Sequence, residues 1–175
     1  MDRAQLINAL KKADEEIDSL FEVPDRFKLV IVGGSALLLK DIISRQTRDI
    51  DVLNGYSSQL EPIFSKYDIN AHVAAFIDNL PYNYEDRLNF IDVGTKTFSI
   101  FTLSIEDLVL MKLYSEREKD YLDATHPDVV SSVDFGKLKE IVSSGEMDNS
   151  FNVYRYKLFL EKFQKYIETY GEKDE

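Results

Sequence analysis

A short apolar run that ends in two glycines constrains the fold of this chain more than any other feature. Lys28–Val32 (KLVIV) is rich in β-branched residues, which is typical of a buried strand. Gly33 and Gly34 end the run, and Ser35 precedes the segment ALLLKDIIS, whose pattern predicts a helix with Ser35 near its N-terminus. The order of strand, Gly-Gly-Ser and helix predicts an α/β unit built around this strand.

The Gly-Gly-Ser segment is a candidate phosphate loop. Backbone N–H groups at a helix N-terminus bind phosphate oxygens, the helix dipole adds to the attraction, and glycines allow close approach. The hydroxyl of Ser35 would add one more donor. A glycine turn before a helix is also a common structural device. The motif alone therefore leaves both interpretations open.

Two acidic residues lie in a second predicted strand, Asp49–Leu53 (DIDVL). Asp49 and Asp51 are two positions apart, so their side chains point to the same face of that strand. Neighbouring carboxylates in a buried sheet repel each other unless they are protonated or bridged by a cation. Such hard oxygen ligands suit Mg²⁺ or Mn²⁺. The alternative is an edge strand whose acids face water.

Taken together, the segment VGGSALLLKDIISRQTRDIDVL resembles the signature of the nucleotidyltransferase superfamily that includes DNA polymerase β. Its TRDID portion is most similar to the AbiEii-like group and to related bacterial domains described only as nucleotidyltransferases. The resemblance implies an α/β (α+β) fold: a small mixed β-sheet core with an N-terminal helix and C-terminal helices.

The resemblance also implies a mechanism. The loop of Gly33, Gly34 and Ser35 would hold the β and γ phosphates of an NTP substrate. Asp49 and Asp51 would bind two Mg²⁺ (or Mn²⁺) ions, which align an attacking hydroxyl and neutralise the leaving pyrophosphate. Arg48, next to the first acid, is a further candidate for phosphate contact.

Members of this superfamily often carry a third metal-binding carboxylate on a neighbouring strand. The best match is Asp92 in the segment NFIDV, where an acid stands among apolar residues. The alternative is an acid at the end of a strand, next to a turn at Gly94. We therefore expect Asp92 to be either a third catalytic and metal-binding carboxylate or a turn residue.

Charged residues also mark a long predicted helix, EDLVLMKLYSEREKDYLDA. Helical spacing places Lys112, Glu116, Lys119 and Asp123 on one stripe, with Asp120 beside it. From the pattern alone, a solvated face with i,i+4 pairs is the alternative to a groove lining. The segment also resembles the one that follows the core in AbiEii-like proteins. That resemblance implies that Lys112 contacts phosphates, that Asp120 or Asp123 lies on the acceptor side, and that Arg117 and Lys119 are further triphosphate candidates.

The other elements follow from periodicity. Apolar residues at helical spacing predict an N-terminal helix over residues 3–20. Residues 88–93 and 97–103 predict a hairpin or two adjacent strands around Gly94. Further helices are predicted over 57–67, 71–79, 135–143 and 151–170. We predict a core domain over 1–125 and a C-terminal helical extension over 126–175 that packs on the core.

The composition limits the classes of partner. The net charge of −11 disfavours a long nucleic acid, whose affinity depends on basic residues, and fits a small molecule, a protein or a metal. The chain has no cysteine, and its two histidines, His72 and His126, lack metal-ligand spacing. No apolar run approaches the roughly 20 residues of a membrane span, and the charged N-terminus lacks a signal segment. A cytoplasmic location is expected.

The leading hypothesis is an enzyme that moves an NMP from an NTP to a hydroxyl acceptor on a protein, a small molecule or an RNA end. AbiEii-like relatives act as toxins in toxin–antitoxin systems and other minimal members act as antitoxins, so a cognate toxin or antitoxin is an implied partner. One alternative is a non-catalytic module that binds a protein through the aromatic C-terminal helix. Another is a metal-dependent phosphodiesterase or nuclease, which needs no NTP.

Overall fold

A computed structural model describes residues 1–53, 55–71, 79–148 and 152–171, and five strands in these residues form one mixed sheet. The strands are β1 (Phe27–Val32), β2 (Ile50–Val52), β3 (Ile69–Asn70), β4 (Asn89–Ile91) and β5 (Phe98–Thr102), and their spatial order is β3-β2-β1-β5-β4. β1 is parallel to β5 and antiparallel to β2, β2 is parallel to β3, and β4 is antiparallel to β5. The antiparallel β4–β5 pair confirms the predicted hairpin.

Eight α-helices lie in the described residues: α1 (Arg3–Leu20), α2 (Gly33–Leu39), α3 (Glu61–Lys66), α4 (Ile105–Tyr114), α5 (Glu118–Ala124), α6 (Pro127–Val130), α7 (Phe135–Ser143) and α8 (Val153–Tyr166). A 3₁₀ turn (Tyr84–Arg87) precedes β4, and a π-helical turn (Ile167–Gly171) follows α8. The predicted α/β (α+β) class, with an N-terminal helix and C-terminal helices, is therefore confirmed. None of the described helices combines the length and the apolar character needed to cross a membrane.

The described chain divides into two units. The sheet unit comprises the described residues up to residue 71 together with Leu88–Leu103, and so holds α1–α3 and all five strands. The helical unit comprises residues 79–87 and the chain from Ser104 onward, and so holds the 3₁₀ turn and α4–α8. Helices α4 and α5, which the sequence assigns to the core domain, group with the C-terminal helices.

Helix α1 covers the predicted residues and is tied to the β4–β5 hairpin by a buried acid. Asp14, 5% exposed, accepts hydrogen bonds from the backbone N–H groups of Lys96 (2.8 Å) and Thr97 (2.7 Å). The hydroxyl of Thr97 donates a third bond to the same carboxylate at 2.6 Å. A buried carboxylate is tolerated where such donors satisfy it, so Asp14 anchors the N-terminal helix to the sheet unit.

Helix α2 is shorter than the predicted segment. It ends at Leu39, and Asp41 takes the left-handed conformation with φ 60°. The N–H of Ile42 donates to the carbonyl of Leu37 at 3.0 Å, and the N–H of Asp41 donates to that of Leu38 at 3.0 Å. These two bonds form a Schellman termination. The sequence did not indicate this helix end, because the left-handed position is occupied by Asp41 and not by the glycine that usually marks it.

The prediction of one long helix over residues 106–124 is wrong in one respect, because the structure divides this segment into α4 and α5. Ser115 adopts an extended backbone and ends α4. Its hydroxyl accepts a bond from the N–H of Arg117 at 3.2 Å and donates to the Asp120 carboxylate at 2.6 Å. Ser115 thereby stabilises the turn, and the predicted stripe is not a single continuous helix face.

Several predicted features lie outside the described residues. These are most of the helix predicted over 71–79, with His72 in it, and Phe151 at the start of the last predicted helix.

Candidate active site

The pairing of β1 with β2 brings Asp51 to the start of α2, whose first three residues, Gly33, Gly34 and Ser35, are the predicted glycine loop. In the antiparallel register Asp51 lies opposite Val32, the last residue of β1. Gly33 follows with φ +67°, a conformation that side-chain-bearing residues rarely adopt. A Cβ built on Gly33 would lie 3.3 Å from the Asp51 Oδ2 atom. The glycine therefore leaves room for a carboxylate directly beside the loop.

Ser35 joins the loop to β2 through its hydroxyl. The side chain is 1% exposed and donates to the carbonyl of Val32 at 2.8 Å. The same oxygen accepts a hydrogen bond from the backbone N–H of Asp51 at 3.2 Å. In this conformation Ser35 serves to position Asp51, a role that the sequence did not suggest.

Asp49 and Asp51 flank a buried residue, as the alternation predicts. Ile50 and Val52 are fully buried, whereas both acids are only half-buried. On the other side of β2, the parallel strand β3 places Asn70 opposite Asp51. The amide Nδ2 of Asn70 donates to the Asp49 Oδ2 at 3.1 Å. Three oxygen-bearing side chains thus lie on two adjacent strands beside the loop.

Asn70 was missed by sequence reasoning, and no local signal would have found it. It stands in an ordinary apolar-polar segment, and only the pairing of β3 with β2 places it near the acids. Among the described residues no group of three or more His, Cys, Asp or Glu side chains could hold a metal ion. A cation here would therefore be bound by two carboxylates and an amide oxygen, all hard ligands of the kind that Mg²⁺ accepts.

The structure does not bring Asp92 to Asp49 and Asp51. Asp92 follows β4, which is separated from β2 by β5 and β1. Because β4 runs antiparallel to β5 and β5 runs parallel to β1, Asp92 lies towards the start of β1, whereas Asp51 lies at its end. Its exposed carboxylate accepts a hydrogen bond from the N–H of Gly94 at 3.0 Å. That geometry matches the turn interpretation.

A basic residue that the sequence analysis did not select lies at the second glycine. A Cβ built on Gly34 would lie 3.3 Å from the Nη2 atom of Arg45. A guanidinium suits phosphate oxygens because its donors form a planar fork. Arg48 is exposed immediately before Asp49. Arg48 could be selected from the sequence because it directly precedes the Asp-Ile-Asp segment. Arg45 could not, because only the path of the chain after α2 brings its side chain to Gly34.

The remaining predicted residues lie in the helical unit, where most of them form one ionic cluster. Lys112, 5% exposed, donates to Asp123 at 2.9 Å and to Asp120 at 3.2 Å. Arg117 lies 3.2 Å from the other oxygen of Asp120. Lys119 is exposed. The structure therefore brings Lys112, Arg117, Asp120 and Asp123 together, with the lysine charge balanced by two carboxylates.

The electrostatics of this cluster keep Asp120 ionised. Burial acts to raise the pKa of Asp120, but the hydrogen bond from Ser115 and the charges of Lys112 and Arg117 outweigh it. The pKa of Asp120 is therefore below its ordinary value. At neutral pH this carboxylate can accept a hydrogen bond or a proton, but it is not a proton donor.

Replacing Gly33 by alanine is expected to lower the free energy of unfolding by about 1–3 kcal/mol, because the new side chain must adopt a strained backbone conformation. It must also fit against the Asp51 carboxylate. Urea denaturation of the variant measures the loss. Gly94→Ala is the matched control, since Gly94 also has a positive φ (+80°) but no atom within 4 Å of its built Cβ. Equal losses in the two variants would show that the contact with Asp51 has no energetic consequence.

The sequence of this chain also matches a known protein family. A family model described as "Nucleotidyltransferase of unknown function (DUF6036)" matches residues 8–171. The chain matches no curated protein and no solved structure. The matched residues include the glycine loop, the acids of β2 and the ionic cluster of α4 and α5. Since the match covers nearly the whole chain, the protein belongs to this family of nucleotidyltransferases of unknown function.

Proposed function

We propose that the chain is a metal-dependent nucleotidyltransferase that moves an NMP from an NTP to a hydroxyl acceptor. The observation that carries the proposal is the register of β1 and β2. It places Asp51 opposite Val32 and beside Gly33, so the carboxylate proposed to bind metal adjoins the loop that would hold phosphates. Nucleotidyl transfer needs these two elements within reach of one triphosphate.

The loop would bind the triphosphate through close backbone approach at the two glycines and through Arg45. A Cβ at Gly33 would lie 3.3 Å from the Asp51 carboxylate, and a Cβ at Gly34 would lie 3.3 Å from the Arg45 guanidinium. The absence of a side chain at both positions therefore keeps these two groups next to the backbone. Anion binding therefore does not rest on the hydroxyl of Ser35, which is bonded within the sheet unit. Arg48 is a second basic side chain for the phosphates.

The residues present also fit a divalent cation. Asp51 in β2 and Asp49 just before it both lie beside Asn70 of β3, and the two carboxylates would repel each other without a counter-charge. The amide of Asn70 adds a neutral oxygen. These three side chains would hold Mg²⁺ or Mn²⁺. When bound there, the cation would neutralise phosphate charge and activate the attacking hydroxyl. Asn70 would hold Asp49 in place through its amide N–H.

The acceptor side is proposed from the resemblance to AbiEii-like proteins. It assigns Asp120 and Asp123 to the acceptor, and Lys112, Arg117 and Lys119 to the phosphates. The lowered pKa of Asp120 supports a role as an ionised hydrogen-bond acceptor. The acceptor class is a protein, a small hydroxylated molecule or an RNA end, and a cognate toxin or antitoxin is the proposed protein partner.

Titration of each NTP into the protein with Mg²⁺ present, followed by isothermal calorimetry, tests the proposal. We expect micromolar binding that is lost in Asp49→Ala/Asp51→Ala, because the cation that bridges protein and phosphates loses both carboxylates. Asp92→Ala is the matched control. It removes an exposed carboxylate at the opposite end of the sheet and should bind NTP like the unaltered protein.

Two results would contradict the proposal. No binding of any NTP would favour a non-catalytic module that retains the fold and binds a protein. An equal loss of binding in Asp92→Ala would show that NTP binding does not depend specifically on Asp49 and Asp51.

A further inference from the structure

A cleft in the helical unit lies apart from every residue used above for nucleotide or metal binding. It has a volume of about 540 Å³ and lies between the C-terminal end of α4 and the length of α8. Its floor is formed by Leu113, Tyr114 and Phe159, each at most 3% exposed. The rings of Tyr114 and Phe159 pack 5.5 Å apart. Ligand sites commonly have this size and this apolar lining.

The rim of the cleft is basic although the chain as a whole is acidic. The charged side chains that line the cleft are three basic and two acidic, a net charge of +1, whereas the net charge of the whole chain is −11. Arg155, Lys162 and Lys165 line the cleft together with Leu158, and these four positions recur at helical spacing along one face. Glu116 and Glu161 complete the rim. Charge complementarity therefore favours an acidic occupant.

Arg155 retains capacity to bind such an occupant. Its contacts within the helical unit are long: Nη2 lies 3.4 Å from the carbonyl of Tyr114 and 3.5 Å from Asn79, and Nε lies 3.8 Å from Glu116. The guanidinium lies over the Tyr114 ring at 4.9 Å. Within the described residues the buried Nε atom donates no hydrogen bond. The contacts of Nη2 are long and therefore weak, so this nitrogen can also donate to a carboxylate in the cleft.

Helix capping explains only part of this rim. The carbonyls at the C-terminal end of α4 attract Arg155 and also Lys162, whose Nζ donates to the Ser115 carbonyl at 2.9 Å. Lys165 is exposed and makes no such bond among the described residues. Capping also does not account for exposed apolar side chains on the same helix: Leu158 is 38% exposed, Tyr154 71% and Val153 72%. Exposed apolar side chains beside a charged rim are typical of a protein-binding site.

We propose that this cleft binds an acidic, amphipathic segment of a partner protein. Apolar side chains of the segment would cover Leu158 and the aromatic floor, and its carboxylates would pair with Arg155, Lys162 and Lys165. A helix or strand with one acidic edge and one apolar edge meets both requirements. The proposal does not depend on nucleotidyl transfer, because none of these side chains belongs to the glycine loop, to β2 or to the ionic cluster.

The test is a titration of the ¹⁵N-labelled full chain with a synthetic amphipathic peptide of glutamate and leucine, followed by NMR. We expect amide shifts confined to residues 113–116 and 154–165 that weaken as salt is raised. Lys165→Glu should weaken binding roughly fivefold, in keeping with the loss and reversal of one exposed pair. Lys139→Glu is the matched control, since it makes the same charge change on an exposed position of α7 and should leave the affinity unchanged.

Three outcomes would overturn the proposal. One is the absence of shifts in these residues at millimolar peptide. Another is equal binding of a peptide in which lysine replaces glutamate, which would leave only apolar contact. The last is tighter binding of inorganic tripolyphosphate than of the peptide at the same residues, which would make the cleft a phosphate site. Leu158→Ser, at a partly exposed position, separates the apolar contribution from the charged one without altering the buried floor.

Discussion

Asp51→Asn is expected to weaken binding of Mn²⁺ in the presence of NTP by at least 10–100-fold, the range found when even an outer partner of a metal ligand is removed. The substitution keeps the shape of the side chain but removes the charge that lies beside Gly33 and opposite Val32. Electron paramagnetic resonance of free Mn²⁺ measures the change, and it requires no knowledge of the acceptor. Circular dichroism of the same sample checks that the fold is retained.

Two further variants make this result specific. Asn70→Ala removes the amide that donates to Asp49 and should reduce the affinity less than Asp51→Asn, because both carboxylates remain. Asp92→Asn, on the far edge strand, should leave Mn²⁺ binding unchanged. A loss in Asp92→Asn as large as that in Asp51→Asn would refute the proposed metal site.

Arg87→Ala is expected to destabilise the helical unit by about 3–5 kcal/mol, the usual cost of removing one partner from a buried ionic network. The Nε and Nη2 atoms of Arg87 donate to the Asp107 carboxylate at 2.9–3.2 Å, and Nη1 and Nη2 donate to Glu146 at 3.1 and 2.7 Å. Asp107 is fully buried. Among the described residues, the variant leaves this carboxylate the hydrogen bond from the Ser104 hydroxyl. Urea denaturation measures the loss.

The double variant Arg87→Ala/Asp107→Asn is the control for that explanation. If an uncompensated buried charge causes most of the loss, removal of that charge should restore part of the stability. A double variant no more stable than Arg87→Ala would instead assign the loss to packing of the arginine side chain.

Acid titration gives an independent check on the same network. The hydrogen bond from Arg87 is the largest cause that lowers the pKa of Glu146 below its ordinary value. A carboxylate whose pKa is lowered on folding adds stability above its unfolded pKa of about 4.3, and this stability is lost as the pH falls through the lower folded value. The free energy of unfolding should therefore fall less steeply below this pH in Arg87→Ala than in the unaltered protein. Identical slopes would contradict the role of Arg87.

Much of the local structure could be predicted from the sequence because it depends on neighbours along the chain. The apolar spacing of residues 3–20, the β-branched run before Gly33 and the alternation around Asp51 each specify an element, and the structure contains all three. The resemblance of the loop and the acids to a nucleotidyltransferase signature agrees with the family match. Within a few residues, side-chain periodicity and glycine conformation determine which element forms.

The composition of the site depended instead on which strands pair. Asp92 had the sequence features of a third acid, yet β1 and β5 separate its strand from β2, whereas Asn70 had none and lies beside Asp49. A sequence pattern predicts which face of its own strand a residue occupies. It does not predict which strand lies next to that one, because strand pairing depends on long-range packing.

The charge environment was also decided by tertiary structure. The stripe predicted on one long helix is interrupted at Ser115, and the turn folds Asp120 and Asp123 back onto Lys112. The sequence by itself determined the N-terminal helix, β1, β2, the glycine loop and the paired acids, since these follow from local conformational preference. Only the tertiary structure decided that Asn70 and Arg45 adjoin the loop and the acids and that Asp92 does not, because hydrogen bonds and ion pairs between distant segments form only once the sheet has assembled.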